Sequence, residues 1–406
     1  MSRDDTNRRD PTRRDALKYG GTIAVGGFLA GCSTETSDEP TSTAADEDPN
    51  STGNESMSES DSATSETDSY TVEMAPVGAV QFDTVPEKWA AYDGAYVDMA
   101  VALGKGSGVT GVGGADRLYT AQYDELPGVE WQQSWVEEFP EVRTVEEFYA
   151  LDSDVHLYDP QMLINWFDWS ESDIENVRSD VAPFVGNLIF RRSDDWHDYR
   201  YYTLYESFEK IATVFQEQAR YEAFKSFHDE FIADIQSRLP PEEERPEVFL
   251  TFEGTDEPST FSPYRLRDRG TSKKQWRDLG VHDALEGTDI SNLSTTDRGE
   301  LDYETLLSID PEVILVRGHE RKTAAEFRDV VLSYMQEHPA GSELTAVRNE
   351  RVYRGGYLHQ GPIHNLFLTE RAAQQLFPEE FGAVTSDEQL FDRQRVADIV
   401  TGEFES

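Results

Sequence analysis

The 406 residues contain one cysteine, Cys32. A lone thiol forms no internal disulfide, and it rules out a metal site built on several thiolates. Lysine is also scarce. The 36 basic residues are 8 Lys and 28 Arg, set against 80 Asp and Glu, for a net charge of -44. Carboxylate surplus with lysine depletion suits a surface solvated in very high salt, where bound water and cations keep it dispersed and salt screens its self-repulsion. The same balance argues against a broad nucleic-acid surface, because phosphate binding needs clustered cations. Long apolar runs are missing too. The longest, Tyr19 to Gly31, falls short of the roughly twenty residues a membrane span requires. There is no Walker A loop, no GxGxxG and no HExxH, and the 8 His show no pairing on a helix face. Neither a cofactor nor a resident metal is expected.

That short apolar run has a specific context. Arg13 and Arg14 precede it, it is glycine-rich, and it ends in Leu29-Ala30-Gly31-Cys32. Cations, a short apolar run and small residues before a cleavage point make a secretory signal rather than a structural element. TRRDALK resembles a twin-arginine (Tat) signal, the route for proteins exported already folded, and LAGC resembles a lipobox. Residues 1–31 are therefore expected to be removed, leaving Cys32 lipidated as the mature N-terminus, anchored to the outer face of the cytoplasmic membrane. From Ser33 to Ser69 there is no Lys, Arg or aromatic residue. Such a segment cannot bury enough apolar area to offset its ordering entropy. Residues 32–69 read as an acidic tether with a reach on the order of 35 Å.

The globular part starts near Tyr70. Trp89 to Tyr92 and Val109 to Val112 read as buried strands around a helix at Tyr96–Leu103. Val145–Leu151 reads as a helix and Val155 to Tyr158 as the next strand. Strand, helix, strand with glycines at the strand ends implies a parallel sheet. The second half repeats the pattern: strands at Val248–Phe252, Val313–Val316 and Arg351–Arg354, and helices at Lys273–Leu279, Val281–Leu285, Tyr303–Leu307 and Leu366–Phe377. EEFYALDSDVHLYD (Glu146–Asp159) aligns with ETLLSIDPEVILVR (Glu304–Arg317) at a constant offset, which points to two lobes built alike. Between them, Asp198 to Leu239 keeps helical apolar spacing with no Gly or Pro after Asp198 until Pro240. As one helix it would approach 60 Å, a length suited to bridging two lobes. A break near Gln218–Tyr221 is the alternative.

The whole pattern resembles the class III substrate-binding proteins of ABC importers, which bind iron-siderophores, haem and vitamin B12. The resemblance runs from about Tyr70 to Phe381. It is carried by VPEKWAAYDGAYVDMAVALG (Val85–Gly104), LDYETLLSIDPEVILV (Leu301–Val316), LTAVRNERVYRGG (Leu344–Gly356) and GPIHNLFLTERAAQQLFP (Gly361–Pro378). It implies an α/β fold of two similar lobes (70–197 and 240–406). Each lobe has a parallel-rich sheet flanked by helices. One long interlobe helix at 198–239 would join them, with a ligand cleft between. It further implies an iron-siderophore or cobalamin-like ligand, an ABC permease with its ATPase as partner, no chemistry, and docking onto permease arginines by paired carboxylates, here Glu146 and Glu304.

Cleft candidates are the residues in strand-end loops, where open α/β sheets bind ligands. In the first lobe these are Asp93, Tyr96, Gly114, Tyr158 and Trp166. Of the neighbours Arg191 and Arg192, one should face the cleft, because adjacent strand residues alternate. In the second lobe they are Glu253, Tyr264, Arg265, Arg317 and His359, with Arg267 and Arg269 beside Arg265. Guanidiniums would suit an anionic iron chelate. Other readings stay open: Trp166-Phe167-Asp168-Trp169 as a core patch, the arginines as partners of nearby acids, and His359 as a surface histidine. An exported hydrolytic or metal-dependent enzyme and a cell-surface sensor are the alternatives of other classes.

Overall fold

The computed structural model describes residues 69–131, 138–290, 299–384 and 388–404. The signal, Cys32 and nearly all of the tether lie outside the described residues. The chain enters through an antiparallel hairpin, β1 (Tyr70–Met74) and β2 (Gly78–Phe82), that sequence patterning did not bring out. The hairpin is tied down where the Tyr70 hydroxyl donates to the Val214 carbonyl at 2.5 Å.

The first lobe is a three-stranded parallel sheet. Strand β3 (Trp89–Ala91) is buried along its whole length and lies at the centre. It leads into α1 (Gly94–Ala102), whose nine residues are all buried. The sheet is completed on one side by β4 (Val109–Val112). Helix α2 (Val145–Ala150) starts at a Thr144–Glu147 capping box and returns the chain to β5 (Val155–Leu157) on the other side. Helices α3 (Pro160–Phe167) and α4 (Glu171–Asp180) follow.

The segment expected to form one long rod is two helices. The first, α5 (Leu204–Phe215), opens with a Thr203–Glu206 capping box. It ends at Gln216, which takes the left-handed conformation at φ 54°. The second, α6 (Gln218–Arg238), has 21 residues, or about 30 Å of rise. Helix α5 folds back along it, with Phe208 against Tyr221 and Phe224 and Tyr205 against His228. Helix α6 runs from one lobe to the other. At its start Arg220 donates to the Leu103 carbonyl of the first lobe. At its end Gln236 and Arg238 donate to the carbonyls of Asp278 and Glu380 in the second.

The second lobe is a five-stranded sheet. Its central strand, β6 (Glu247–Phe252), pairs antiparallel with β7 (Ser262–Tyr264). Helix α7 (Lys274–Leu279) follows. Val281–Leu285 is not a helix; Gly280 at φ 60° ends α7, and the chain turns into the short strand β8 (His282–Asp283). Helix α8 (Tyr303–Ile309) leads into β9 (Val313–Arg317), which pairs parallel with β6 and with β10 (Val352–Arg354). Helix α9 (Pro362–Leu376) packs on α1 and α7, and α10 (Arg393–Thr401) packs on α6. Among the described residues no helix is long and apolar enough to cross a membrane.

Candidate functional site: the rim where the lobes meet

The lobes meet through buried polar contacts under the C-terminal ends of their strands. Asp93 follows β3 and caps α1, its Oδ1 accepting from the backbone N–H groups of Ala95 and Tyr96. Its Oδ2 is free for a second task and is hydrogen-bonded at 2.8 Å by Nδ1 of His359, from the other lobe. Both residues are buried, so His359 is not the surface histidine that was one reading of it. One turn along α1, Asp98 accepts from the N–H groups of Ile363 and His364 at the start of α9, and from the Tyr123 hydroxyl. Burial pushes the Asp98 carboxyl above the ordinary carboxylate range. Nearby, Tyr119 and Tyr357 stack across the boundary at 4.3 Å. These contacts close the floor between the lobes.

Above that floor lies an aromatic rim. Strand β3 ends at Ala91, one residue sooner than the sequence pattern suggests, which frees Tyr92 to turn into the mouth. The Tyr92 ring lies about 6 Å from those of Tyr158, Trp166, Phe167 and His359. Tyr92, Trp166 and Phe167 are partly exposed. The Arg191 guanidinium sits 4.6 Å over the Trp166 ring. Arg143 sits 5.8 Å over Phe167. Burial raises the Tyr92 phenol to about 12, against the opposing pull of Arg117, Arg143 and Arg191. Three guanidiniums are thus near enough to act on one phenol. Each is balanced by an acid: Arg117 by Asp116 and Arg143 by Glu141 and Asp116 at the protein surface, Arg191 by the nearly buried Asp194. Aromatic faces with guanidiniums at their edges can pack a planar or aromatic ligand and pair with its anionic groups.

The candidates named from sequence divide. Asp93, Trp166, Arg191 and His359 come together here. Tyr158 lines the rim from below, fully buried, donating to the Val142 carbonyl. Tyr96 lies deeper, with its hydroxyl on the Asn187 backbone. Gly114, at the end of the β4 turn, is buried beside Tyr92. Arg192 lies outside the rim contacts and stacks on Tyr201 at 4.9 Å. In the second lobe Arg265 is committed to backbone, donating to the carbonyls of Leu285 and Ile290. Arg317 is 1% exposed and lies over Tyr264 and Trp276, donating to the carbonyls of Ser272 and Gly355. Glu253 accepts from the Thr255 N–H at the end of β6. Glu146 and Glu304 are both exposed, each in the first turn of its helix. Sequence reading missed Tyr92, Phe167, Arg117 and Arg143 as rim residues. Position after a strand was the available signal for Tyr92, while the two arginines come from separate loops.

Comparison with known proteins bears on the family and the fold. The profile of the periplasmic binding protein family matches residues 90–356. A search of curated protein sequences gives no match. Among solved structures, the chain is similar to the iron uptake ABC transporter substrate-binding protein PiuA of Streptococcus pneumoniae. They share 16% identity and a TM-score of 0.52, over 76% of this chain and 98% of that one. It is also similar to a periplasmic binding protein of Veillonella parvula, at 13% identity and a TM-score of 0.51, over 76% and 97% of the two chains. These likenesses are of fold.

Proposed function

The chain belongs to the periplasmic binding protein family, and from that premise we propose that it captures an iron chelate of the siderophore class and delivers it to an ABC permease. It is a binding protein and not an enzyme. The observation that carries the ligand reading is the Tyr92 rim, with partly exposed aromatic rings and three guanidiniums at the strand ends where the lobes meet. A catecholate or carboxylate chelate of iron(III) is large, partly planar and anionic. Its rings would rest on Tyr92, Trp166 and Phe167. Its oxygens would displace the exposed acids from Arg117 and Arg143, exchanging one charge-assisted pair for another at little net cost, and would add to the Arg191–Asp194 pair beside Trp166. Helix α6, fixed to both lobes, limits their relative motion to small hinging. The lipobox-like LAGC supports a domain held on an acidic tether at the membrane through Cys32. That would hold it near the permease at high effective concentration.

Trp166 lies in the rim, so its fluorescence reports occupancy. Titration in molar salt with ferric catecholate, hydroxamate and carboxylate siderophores, haem and cobalamin should give saturable quenching by at least one iron siderophore. Arg191→Ala should weaken it about tenfold or more, the loss of one charge-assisted contact. Quenching by haem or cobalamin alone would move the chain to those ligands within the same class. Binding of a free divalent metal with no response to any chelate would overturn the assignment.

A further inference from the structure

On the side of the lobe junction nearer the bridging helix lies a cavity of about 460 Å³. Arg192 enters it from the first lobe, and Arg269, Lys274 and Arg277 from the second, with Tyr205 and Thr271 between them. Arg267 completes five cations against one lining acid, Asp278. That inverts the composition of a chain with 80 acids and 36 bases. Lys274 takes Asp278, and Arg267 reaches the exposed Glu286 at 3.3 Å. Among the described residues no carboxylate lies within ion-pair distance of Arg192, Arg269 or Arg277. Burial pulls the Arg192 guanidinium below its usual range, and Arg269 adds to the pull. Arg277 is lowered by burial as well, with Asp278 opposing and Arg192 and Arg269 reinforcing.

A second observation is independent of charge. Three buried polar atoms without a hydrogen-bond partner belong to residues of this one lining: Nε of Arg192, the hydroxyl of Tyr205 and Oγ1 of Thr271. Thr271 is only 3% exposed. Buried donors are rarely left unmade without a reason. Here all three belong to residues of the cavity wall, each closed off from solvent by its neighbours.

We propose that this cavity binds a small multivalent oxyanion, a phosphate or a polycarboxylate, that links the two lobes. Arg277 donates to the carbonyls of Asp268 and Gly270 and adds its charge alone, while the forks of Arg192 and Arg269 match a ligand with several acceptor oxygens, which chloride meets only as a point charge. The site differs from the Tyr92 rim in its lining: Arg191 lies over Trp166 of the rim, whereas Arg192 lies over Tyr201 and shares the cavity with Tyr205, which packs on His228 of α6 at 4.6 Å. It does not rest on the identity of the captured chelate. The anion would brace a seam already drawn tight. Thr271 and Ser272 donate from backbone N–H to the carbonyls of Ile189 and Phe190, and a Cβ at Gly270 would stand 2.2 Å from the Phe190 carbonyl oxygen.

The test is calorimetry and thermal unfolding of the folded protein with inorganic phosphate, citrate and chloride at one ionic strength. Phosphate or citrate should bind saturably and raise the unfolding midpoint where chloride does not, and the arm that responds identifies the oxyanion. Arg269→Ala and Arg192→Gln should each weaken that binding about tenfold or more. Arg269→Ala should leave the unliganded midpoint unchanged or raised, because a like charge leaves the cluster. Arg269 is exposed, so this variant keeps the test sound if Arg192→Gln fails to fold. Equal responses to all three anions, or equal oxyanion binding in wild type and Arg269→Ala, would overturn the proposal.

Discussion

At the scale of single residues, His156 shows how burial writes a pH dependence into the first lobe. It sits at the centre of β5, fully buried, with its ring edge-on to Phe148 at 4.8 Å and near Phe184 at 5.1 Å. Burial pulls its imidazole down to about 3, so the folded protein keeps it neutral. An unfolded chain protonates it near 6.5. The folded value lies below the unfolded one, so its contribution is whole above about pH 6.5 and is lost as pH falls toward 3. The slope is at most about 1.4 kcal/mol per pH unit. His156→Phe should therefore flatten the acid limb of stability between pH 6.5 and 4, read as unfolding free energy from urea titrations. Parallel losses in the two proteins would show that the histidine is not held neutral. At this same scale the sequence announced part of the rim and hid the rest. Asp93, Trp166, Arg191 and His359 stand after strands or in the aromatic cluster, where open sheets collect ligands, and they could be named. Arg117 and Arg143 reach Tyr92 from two loops separated along the chain, and local pattern carries no signal of that convergence. Nor could pattern tell Arg265, which spends its donors on backbone carbonyls, from an arginine free to meet a ligand.

Among the elements, the corner between α5 and α6 is where pattern reading and structure part. No Gly or Pro lies between Tyr199 and Leu239, so the spacing reads as one rod. The chain turns instead at Gln216, in a left-handed conformation that glycine or asparagine usually marks. Its backbone N–H donates to the carbonyls of Ala212 and Thr213, and its side-chain amide donates to the Thr213 carbonyl. The turn is driven by what it buries: Phe208 and Tyr205 pack on Tyr221, Phe224 and His228, contacts a straight rod would forfeit. One local clue to the start of α5 did exist in the Thr203-x-x-Glu206 capping box. A β-branched side chain is disfavoured in this conformation, by about 1–2 kcal/mol. Gln216→Val should lower the unfolding free energy by that amount, while Gln216→Gly should hold or raise it. A valine variant as stable as wild type in thermal unfolding would mean that the corner carries no strain. The strands were easier to read than this corner, because buried parallel strands are continuous apolar runs whose identity does not depend on distant contacts.

Across the whole molecule, the internal correspondence noted in sequence becomes a structural repeat. Helix α2 leads to β5 as α8 leads to β9, and Val155 and Val313 each start their strand. Glu146 and Glu304 both occupy the second position of their helices, exposed. An acidic side chain there gains from the helix dipole, which explains one glutamate on each lobe without any partner. We propose that their matched placement on the two lobes adds what the dipole does not: a pair of anionic points that would meet cationic points on a two-fold permease. Charge reversal at both positions, Glu146→Arg with Glu304→Arg, should then abolish most uptake of the iron chelate by cells. Each single reversal should impair it less. The Trp166 quenching titration should give an unchanged dissociation constant, because both residues lie in exposed first turns and neither touches the rim. Loss of the dipole interaction would cost each helix about 0.3–1 kcal/mol, small enough that the purified variant should unfold within a few degrees of wild type. Uptake retained in the double variant, or a large drop in ligand affinity, would show that the two glutamates serve their helices alone.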